Sequence, residues 1–494
     1  MSSSTVAVLS DHNAPIDEES KGPGPTMPKS SNPADEDFLV SLDESQDPQN
    51  MATARKWIIV FVISSAALCV TCASSMASFT EAGAQAEFHI SKEVAILSIS
   101  LYIEGLGLGP LVFGPLSEVY GRNLIYRASY VLFFAFNFAV AFAPNVVVYL
   151  IFRFITGFCG SAFMSVAGGS VSDLFTDGTV ANPMAFYTVS PFIGPVVGPL
   201  ISGFINQNLN WRWTYYILLM WIFAELVGIF VLIPETYVPI LLKWKAEKMR
   251  ANKDTRYWAP LDRKEGSLVQ AILRSCYTPL KLVIFDRMAL LLDLWTSMIL
   301  GILYLTFQAF PVIFTDNHGF NMQTTGLTFC GIGLGMLIGV STQPYWNRMY
   351  TRISAANKGT IPPESRLLMG EIGGVLTPLG LYWLAFTTYK SVHWIVPIIA
   401  SVPFGTGTYF VFTSTFSYLV TAYRPIAASA MASNSALRST FGAIFPLFAG
   451  AMYQRLGTVG ATALLAGLMT LMAPLPFIFR RIGSRLRAES RFAV

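Results

Sequence analysis

Six ionisable side chains stand inside long apolar runs: Glu104, Arg153, Glu225, Asp293, Glu371 and Arg438. In hydrocarbon such a group is expensive, so each is a candidate for binding a proton or a charged ligand. Asp293 begins a stripe with Ser297, Tyr304 and Gln308. At about 100° per residue these four fall within about 60° of one another on a helix. A polar stripe on an otherwise apolar helix should face an interior cavity, where Asp293 can bind a proton. The alternative is an acid near a helix end that snorkels or caps packing. Arg438 shares a face with Asn434, Phe441 and Phe445. It reads either as a cavity cation or as half of a structural ion pair. Arg153 shares its face with Gly157, Gly160, Met164 and Gly168. Glu104 adjoins Gly105, Gly107 and Gly109, and can take a proton or a cationic ligand. Glu225 follows Trp221 and Phe223, and is a proton site or a silent structural acid. Glu371 stands near the start of its run and reads as interfacial.

The elements carrying these groups are set by composition. Hydrophobic residues make up 53% of the 494, charged residues 13%, and mean hydropathy is +0.51. Soluble globular chains carry about 25% charged residues, so a soluble enzyme, a disordered chain and a coiled coil are excluded. Twelve stretches are long and apolar enough to cross a bilayer as helices. They fall at roughly 57–79, 94–114, 124–143, 146–171, 183–205, 213–233, 289–314, 325–345, 367–387, 393–419, 426–452 and 459–479. They are called spans 1 to 12 below.

The first 50 residues are different, with ten Asp or Glu against two Lys. They cannot build a core, and an acidic disordered tail is expected there. They lack the basic start and short apolar core of a cleaved signal, so span 1 is expected to act as an uncleaved signal. Placing this tail in the cytosol puts 24 Lys and Arg in the inner segments and four in the outer loops. That asymmetry sets the expected orientation, with both termini cytosolic. The connection between spans 6 and 7, about 50 residues, is basic, with Lys243, Lys245, Lys248, Arg250 and Lys253 in close order. Its charge suits anionic lipid or a solvated helix that fixes topology. Six spans, a charged linker and six spans is the layout of two parallel transporter repeats.

Three motifs add to this. Between spans 2 and 3 the chain reads Gly114-Pro115-Leu116-Ser117-Glu118-Val119-Tyr120-Gly121-Arg122. A tight turn is needed there, and its acid and Arg can pair with each other or with helix ends. Span 5 carries Pro191, Gly194, Pro195, Gly198, Pro199 and Ser202, small residues and prolines each recurring at four. That spacing admits a second helix closely and bends the first. Span 4 opens with Arg153-Phe154-Ile155-Thr156-Gly157 and closes at Ser172-Asp173-Leu174-Phe175. The chain has no Gly-x-x-x-x-Gly-Lys-Ser/Thr loop, so an ion gradient is the expected energy source. The five cysteines form no zinc or disulfide pattern, and neither cofactor nor metal is expected.

These stretches resemble the major facilitator superfamily. Gly114–Arg122 resembles its signature loop, Arg153 matches the motif arginine of span 4, and Gly194-Pro195-x-x-Gly198-Pro199 resembles the span 5 antiporter motif. Pro234-Glu235-Thr236-Tyr237, Phe310-Pro311 and His318-Gly319-Phe320-Asn321 resemble the fungal twelve-span drug:proton antiporters, the branch of polyamine, azole and secondary-metabolite exporters. Glu118 stands where many members have Asp, and loop 346–366 is a degenerate copy of the signature. The resemblance implies an all-α membrane protein with two six-helix bundles. Its expected parts are an acidic tail 1–54, bundles 55–238 and 288–480, a linker 239–287 and a basic tail 481–494. It implies a proton-coupled exporter of small organic molecules in the plasma membrane, acting as a monomer and with no nucleic-acid partner. Asp293, Arg153, Glu104 and Glu225 are the proton-coupling candidates. Ser297, Tyr304, Gln308, Asn434 and Arg438 are the cavity candidates. An importer or facilitator on the same fold, and a non-transporting membrane sensor, are the alternatives.

Overall fold

The computed structural model describes residues 38–176, 179–252, 256–263, 268–357, 361–490 and 492. Residues 1–37 of the acidic tail, and Lys253 of the basic run, lie outside the described residues.

Helix dominates because every backbone donor and acceptor can then pair within its own segment, which hydrocarbon demands. Spans 1 to 10 are the helices Thr53–Phe79, Lys92–Tyr120, Arg122–Ala141, Val146–Leu174, Asn182–Asn208, Trp213–Leu232, Arg287–Asp316, Met322–Ala356, Pro363–Ala385 and Ile395–Ala422. One further helical run, Ala427–Ala488, follows. Gly457 divides it with φ 69 and ψ 173, a backbone shape that turns the chain back. Spans 11 and 12 are thus 427–456 and 458–472, and span 12 leads into the helix Leu475–Glu489. Among the described residues the β pairing is a single isolated bridge, Leu39 with Trp258.

Two segments expected as loops are helical, and so is much of the linker. The signature stretch belongs mostly to the helix Pro110–Tyr120, and the turn is confined to Gly121 at φ 92. Span 8 runs on through polar Gln343–Ala356. The linker holds two helices, Val238–Asn252 and Leu268–Phe285. Hydropathy marks where a helix leaves lipid, and the backbone hydrogen bonding does not stop at that boundary.

The chain forms two compact units. Of the described residues, the smaller comprises 38–41 with 242–252 and 256–263. In it Val40 N–H donates to the Trp258 carbonyl at 3.1 Å, and Trp258 N–H to the Phe38 carbonyl at 3.1 Å. Arg250 pairs with Asp262 at 2.8 Å. The larger unit, Leu42–Leu241 with Glu265–Val494, holds all twelve spans. Its two main apolar cores follow the two halves of the chain. The core of spans 7–12 also takes in Ala77, Ile99, Ile103, Phe192 and Val196 from the first half.

We name the membrane faces by charge. The basic face carries Arg122 and Arg424, and the basic-poor face carries the segments 80–91, 142–145 and 317–321.

Candidate functional site

The stripe on span 7 is buried from end to end, with Asp293 and Ser297 fully buried and Tyr304 and Gln308 nearly so. It is a polar seam with three sets of partners. Asp293 Oδ1 accepts from Asn434 Nδ2 at 2.9 Å, and its Oδ2 from Ser433 Oγ at 3.0 Å, both on span 11. Asn434 Nδ2 also donates to Thr296 Oγ1 at 2.7 Å. The Tyr304 hydroxyl meets Ser74 of span 1 at 2.9 Å. Gln308 Nε2 donates to Glu81 Oε1 at 2.6 Å. The carboxyl of Asp293 is thus held by neutral donors. Such a site can carry the group with or without its proton, because every hydrogen-bond partner it has is neutral; the buried Arg438 acts on it as a nearby charge without contact.

Arg438 lies one turn along span 11 from Asn434. The ion-pair reading is not what the structure has: among the described residues Arg438 makes no ion pair. Its guanidinium carbon stands 5.4 Å from the Phe412 ring and 5.1 Å from the Phe416 ring. Its Nε is buried with no hydrogen-bond partner. Phe192 of span 5 stacks on Phe412 with centroids 4.8 Å apart. Aromatic faces replace a counter-ion here, because their quadrupoles attract the cation. An unpaired buried donor beside stacked rings suits a polar aromatic ligand.

Arg153 is fully buried at the other end of the seam. Its Nε donates to the Ser98 carbonyl at 2.8 Å and one terminal nitrogen to the Ala73 carbonyl at 3.1 Å. Its guanidinium carbon lies 4.4 Å from the Tyr102 ring. Spans 2 and 4 come this close because two glycines face each other across the crossing. A Cβ on Gly105 would overlap the Phe154 carbonyl, and one on Gly157 the Tyr102 carbonyl. Arg153 therefore ties span 4 to spans 1 and 2. At 1.5 Å per residue it lies about 10 Å below the basic-poor face, whereas Asp293 lies about 9 Å above the basic face. The structure does not bring the two together.

The other acids separate by surroundings. Glu104 is half-buried where the halves meet, and its Oε1 accepts from Thr440 of span 11 at 3.3 Å. Glu225 stays within the first bundle, accepting from Ser65 and, at 3.2 Å, from Trp221. Glu371 forms a charge pair with Arg480 at 2.8 Å.

In span 5 the paired motif presents two faces. Gly194 and Gly198 lie against Thr71 and Ser75 of span 1, while the Pro199 carbonyl lies against Gly326 of span 8. Ser75 Oγ donates to the Gly194 carbonyl at 3.0 Å. Pro191 has no N–H for the Tyr187 carbonyl, and Ser190 Oγ supplies a donor at 2.8 Å.

At the basic face, Arg122 bonds Ser117 Oγ at 2.7 Å and Asp173 at 3.4 Å. Glu235 of the Pro-Glu-Thr-Tyr motif accepts from four backbone N–H groups, of Arg122, Asn123, Thr236 and Tyr237, at 2.9–3.0 Å. It caps the N-terminus of span 3, where a carboxylate meets the positive end of the helix dipole. Glu235→Ala strands those donors and is expected to lower thermal stability in detergent by on the order of 2 kcal/mol. Glu235→Gln keeps the oxygen that serves three of them and should lose less. An unchanged melting temperature in both variants would remove this role.

The profile of the Major Facilitator Superfamily matches residues 63–446. The chain belongs to the major facilitator superfamily. The efflux pump atB of Aspergillus terreus is 44% identical over 467 residues, covering 92% of this chain and 90% of that protein. A Saccharomyces cerevisiae protein named as a probable drug/proton antiporter is 39% identical, covering 92% and 89%. Among solved structures, the xylose transporter XylE from E. coli superposes with TM-score 0.58 at 16% identity, over 87% of this chain and 98% of that one. A human organic anion transporter superposes with TM-score 0.60 at 15% identity, over 85% and 99%. These two establish the shared superfamily fold.

Within that superfamily fold, sequence reading passed over three groups. Ser433 and Thr296 have no periodic signature of their own. Glu235 and Asp173 stand in quoted motifs, but two of the four donors to Glu235, and Arg122 that pairs with Asp173, lie more than 50 residues away in sequence. Glu81 follows the end of span 1 by two residues, outside every apolar run. In the structure it is 7% exposed, and it belongs to the seam. Burial raises its pKa from the usual carboxylate range to about 7, against the lowering effects of the Gln308 hydrogen bond and of the Lys92 charge.

Proposed function

We propose that this protein exports small organic molecules across the plasma membrane in exchange for protons, as a transporter and not an enzyme. The observation that carries the reading is the near full-length likeness to proteins named as an efflux pump and a probable drug/proton antiporter. Two bundles, 55–238 and 288–480, rock about the seam between them and open it to each side in turn. Asp293 carries the proton, with Glu104 and Glu225 as the next candidates. Arg153 holds spans 1, 2 and 4 as one body. The Gly194/Gly198 contact is the surface on which spans 1 and 5 move. Asn434, Arg438, Ser297, Tyr304 and Gln308 line the path, and the Phe192, Phe412 and Phe416 rings favour aromatic solutes. The tail 1–54, the linker 239–287 and the tail 481–494 are cytosolic, and the working unit is a monomer.

Purified protein in liposomes, with an internal pH dye, tests the reading. Aromatic organic compounds added under an imposed pH gradient should release protons only when the protein is present. Solute movement indifferent to the gradient would indicate a facilitator, inward accumulation together with protons an importer, and no movement a sensor.

Orientation is tested separately. Cysteines replacing Arg352 and Asp316, both exposed, should label from opposite sides with an impermeant reagent in intact cells. Labelling of Arg352→Cys from outside would invert the topology.

A further inference from the structure

The basic-poor face, outer in the proposed orientation, is where the two halves are sealed. Gln207 accepts there from Met322 N–H at 3.1 Å, Ser100 Oγ donates to the Ala443 carbonyl at 2.6 Å, and Ser74 meets Tyr304. Glu81 stands in this seal. It begins the short helix after span 1, yet its side chain reaches Gln308 of span 7 in the opposite half. Among the described residues that is its one side-chain hydrogen bond. A carboxylate offers about four acceptor sites and, buried, wants most of them filled. One neutral donor leaves the charged form poorly served, and the protonated form loses little.

We propose that Glu81 is a second proton-binding site of the transport cycle, facing the outside, whose protonation closes the outer seam. The inference rests on the exporter reading and adds to it. With the seam open, Glu81 is wetted and ionised. A proton taken from outside neutralises it and lets it return to its dry place against Gln308. The halves then shut behind the departed solute. Acidity on the outer side thus favours the reset of an exporter, and the proton leaves to that same side when the seam next opens. The surrounding groups are consistent with this. Lys92 at the start of span 2 is the charged group acting on Glu81, and it favours the ionised form. Span 7 presents Gln308 and, one turn deeper, the Tyr304 hydroxyl. The preceding residue, Thr80, meets the Tyr215 hydroxyl of span 6 at 3.4 Å. Glu87, on the same short helix, is drawn off by its own pair with Arg212 at 2.6 Å, and this hydrogen bond holds its pKa below the usual carboxylate range.

The sign follows from linkage. A group that binds protons more tightly in the closed form pulls the equilibrium toward that form as pH falls. Between pH 7.5 and 5.5 the closed-to-open ratio should rise roughly twentyfold through this one site. The test is a distance measurement across the seam, with spin labels on Asn208→Cys and Met322→Cys in a full-length Cys276→Ser, Cys330→Ser background. In nanodiscs the short distance should gain population as pH falls. Glu81→Gln should hold the seam closed at both pH values and remove the change. Glu81→Asp should restore a pH response. A Glu81→Gln protein whose seam still responds as wild type overturns the proposal. Failure of the exporter reading would look different: no gradient-coupled solute movement in the wild type, whatever the seam does.

Discussion

Asp293→Asn is expected to abolish gradient-driven accumulation of solute while leaving downhill exchange measurable. The carboxamide matches the carboxyl in shape and cannot titrate. Its local fit is favourable, because the Asn434 Oδ1 is buried without a partner. Turning the Asn434 amide over lets that oxygen accept from the introduced NH2, just as it would accept from a protonated acid. Folding should therefore survive, and the loss should be one of coupling. For one-for-one exchange a pH unit is about 1.4 kcal/mol, or about tenfold in accumulation. In liposomes the wild type should approach that factor and the variant should stay near one. If the variant keeps full pH dependence, the proton resides elsewhere, and Glu104 and Glu225 are the next positions to neutralise.

Gly198→Leu is expected to stop transport in a protein that still folds. A Cβ at this position would overlap Ser75 Oγ and stand 2.9 Å from the Cys72 carbonyl oxygen. The rest of the leucine would wedge spans 1 and 5 apart. Overpacking of this kind costs about 1–3 kcal/mol. Twelve packed spans absorb that. The balance between two transport conformations does not, since 1.4 kcal/mol is already about tenfold in their ratio. Normal flux with normal expression would mean that spans 1 and 5 need no close approach, and the moving-surface reading of the motif would go with it.

Much of this protein follows from its sequence alone. Apolar run length dictates the helices, because lipid offers backbone groups no other partner. Span 7, expected at 289–314, is Arg287–Asp316, and span 6, expected at 213–233, is Trp213–Leu232. Period 3.6 put Asp293, Ser297, Tyr304 and Gln308 on one side of a helix, and all four are buried together. The Gly and Pro repeat of span 5 announced a close contact, and span 1 fills it. What a stripe cannot state is what lies across from it. That Asp293 meets Ser433 and Asn434, that Arg438 rests on rings and makes no ion pair among the described residues, and that Glu235 caps span 3 depend on groups brought from up to 141 residues away. Glu81 shows the limit most clearly. By hydropathy it is a loop residue, and only the meeting of spans 1 and 7 takes it out of water. Local composition decides what a segment can be, while the approach of distant segments decides the dielectric and the partners around each charge, and these decide what the charge can do.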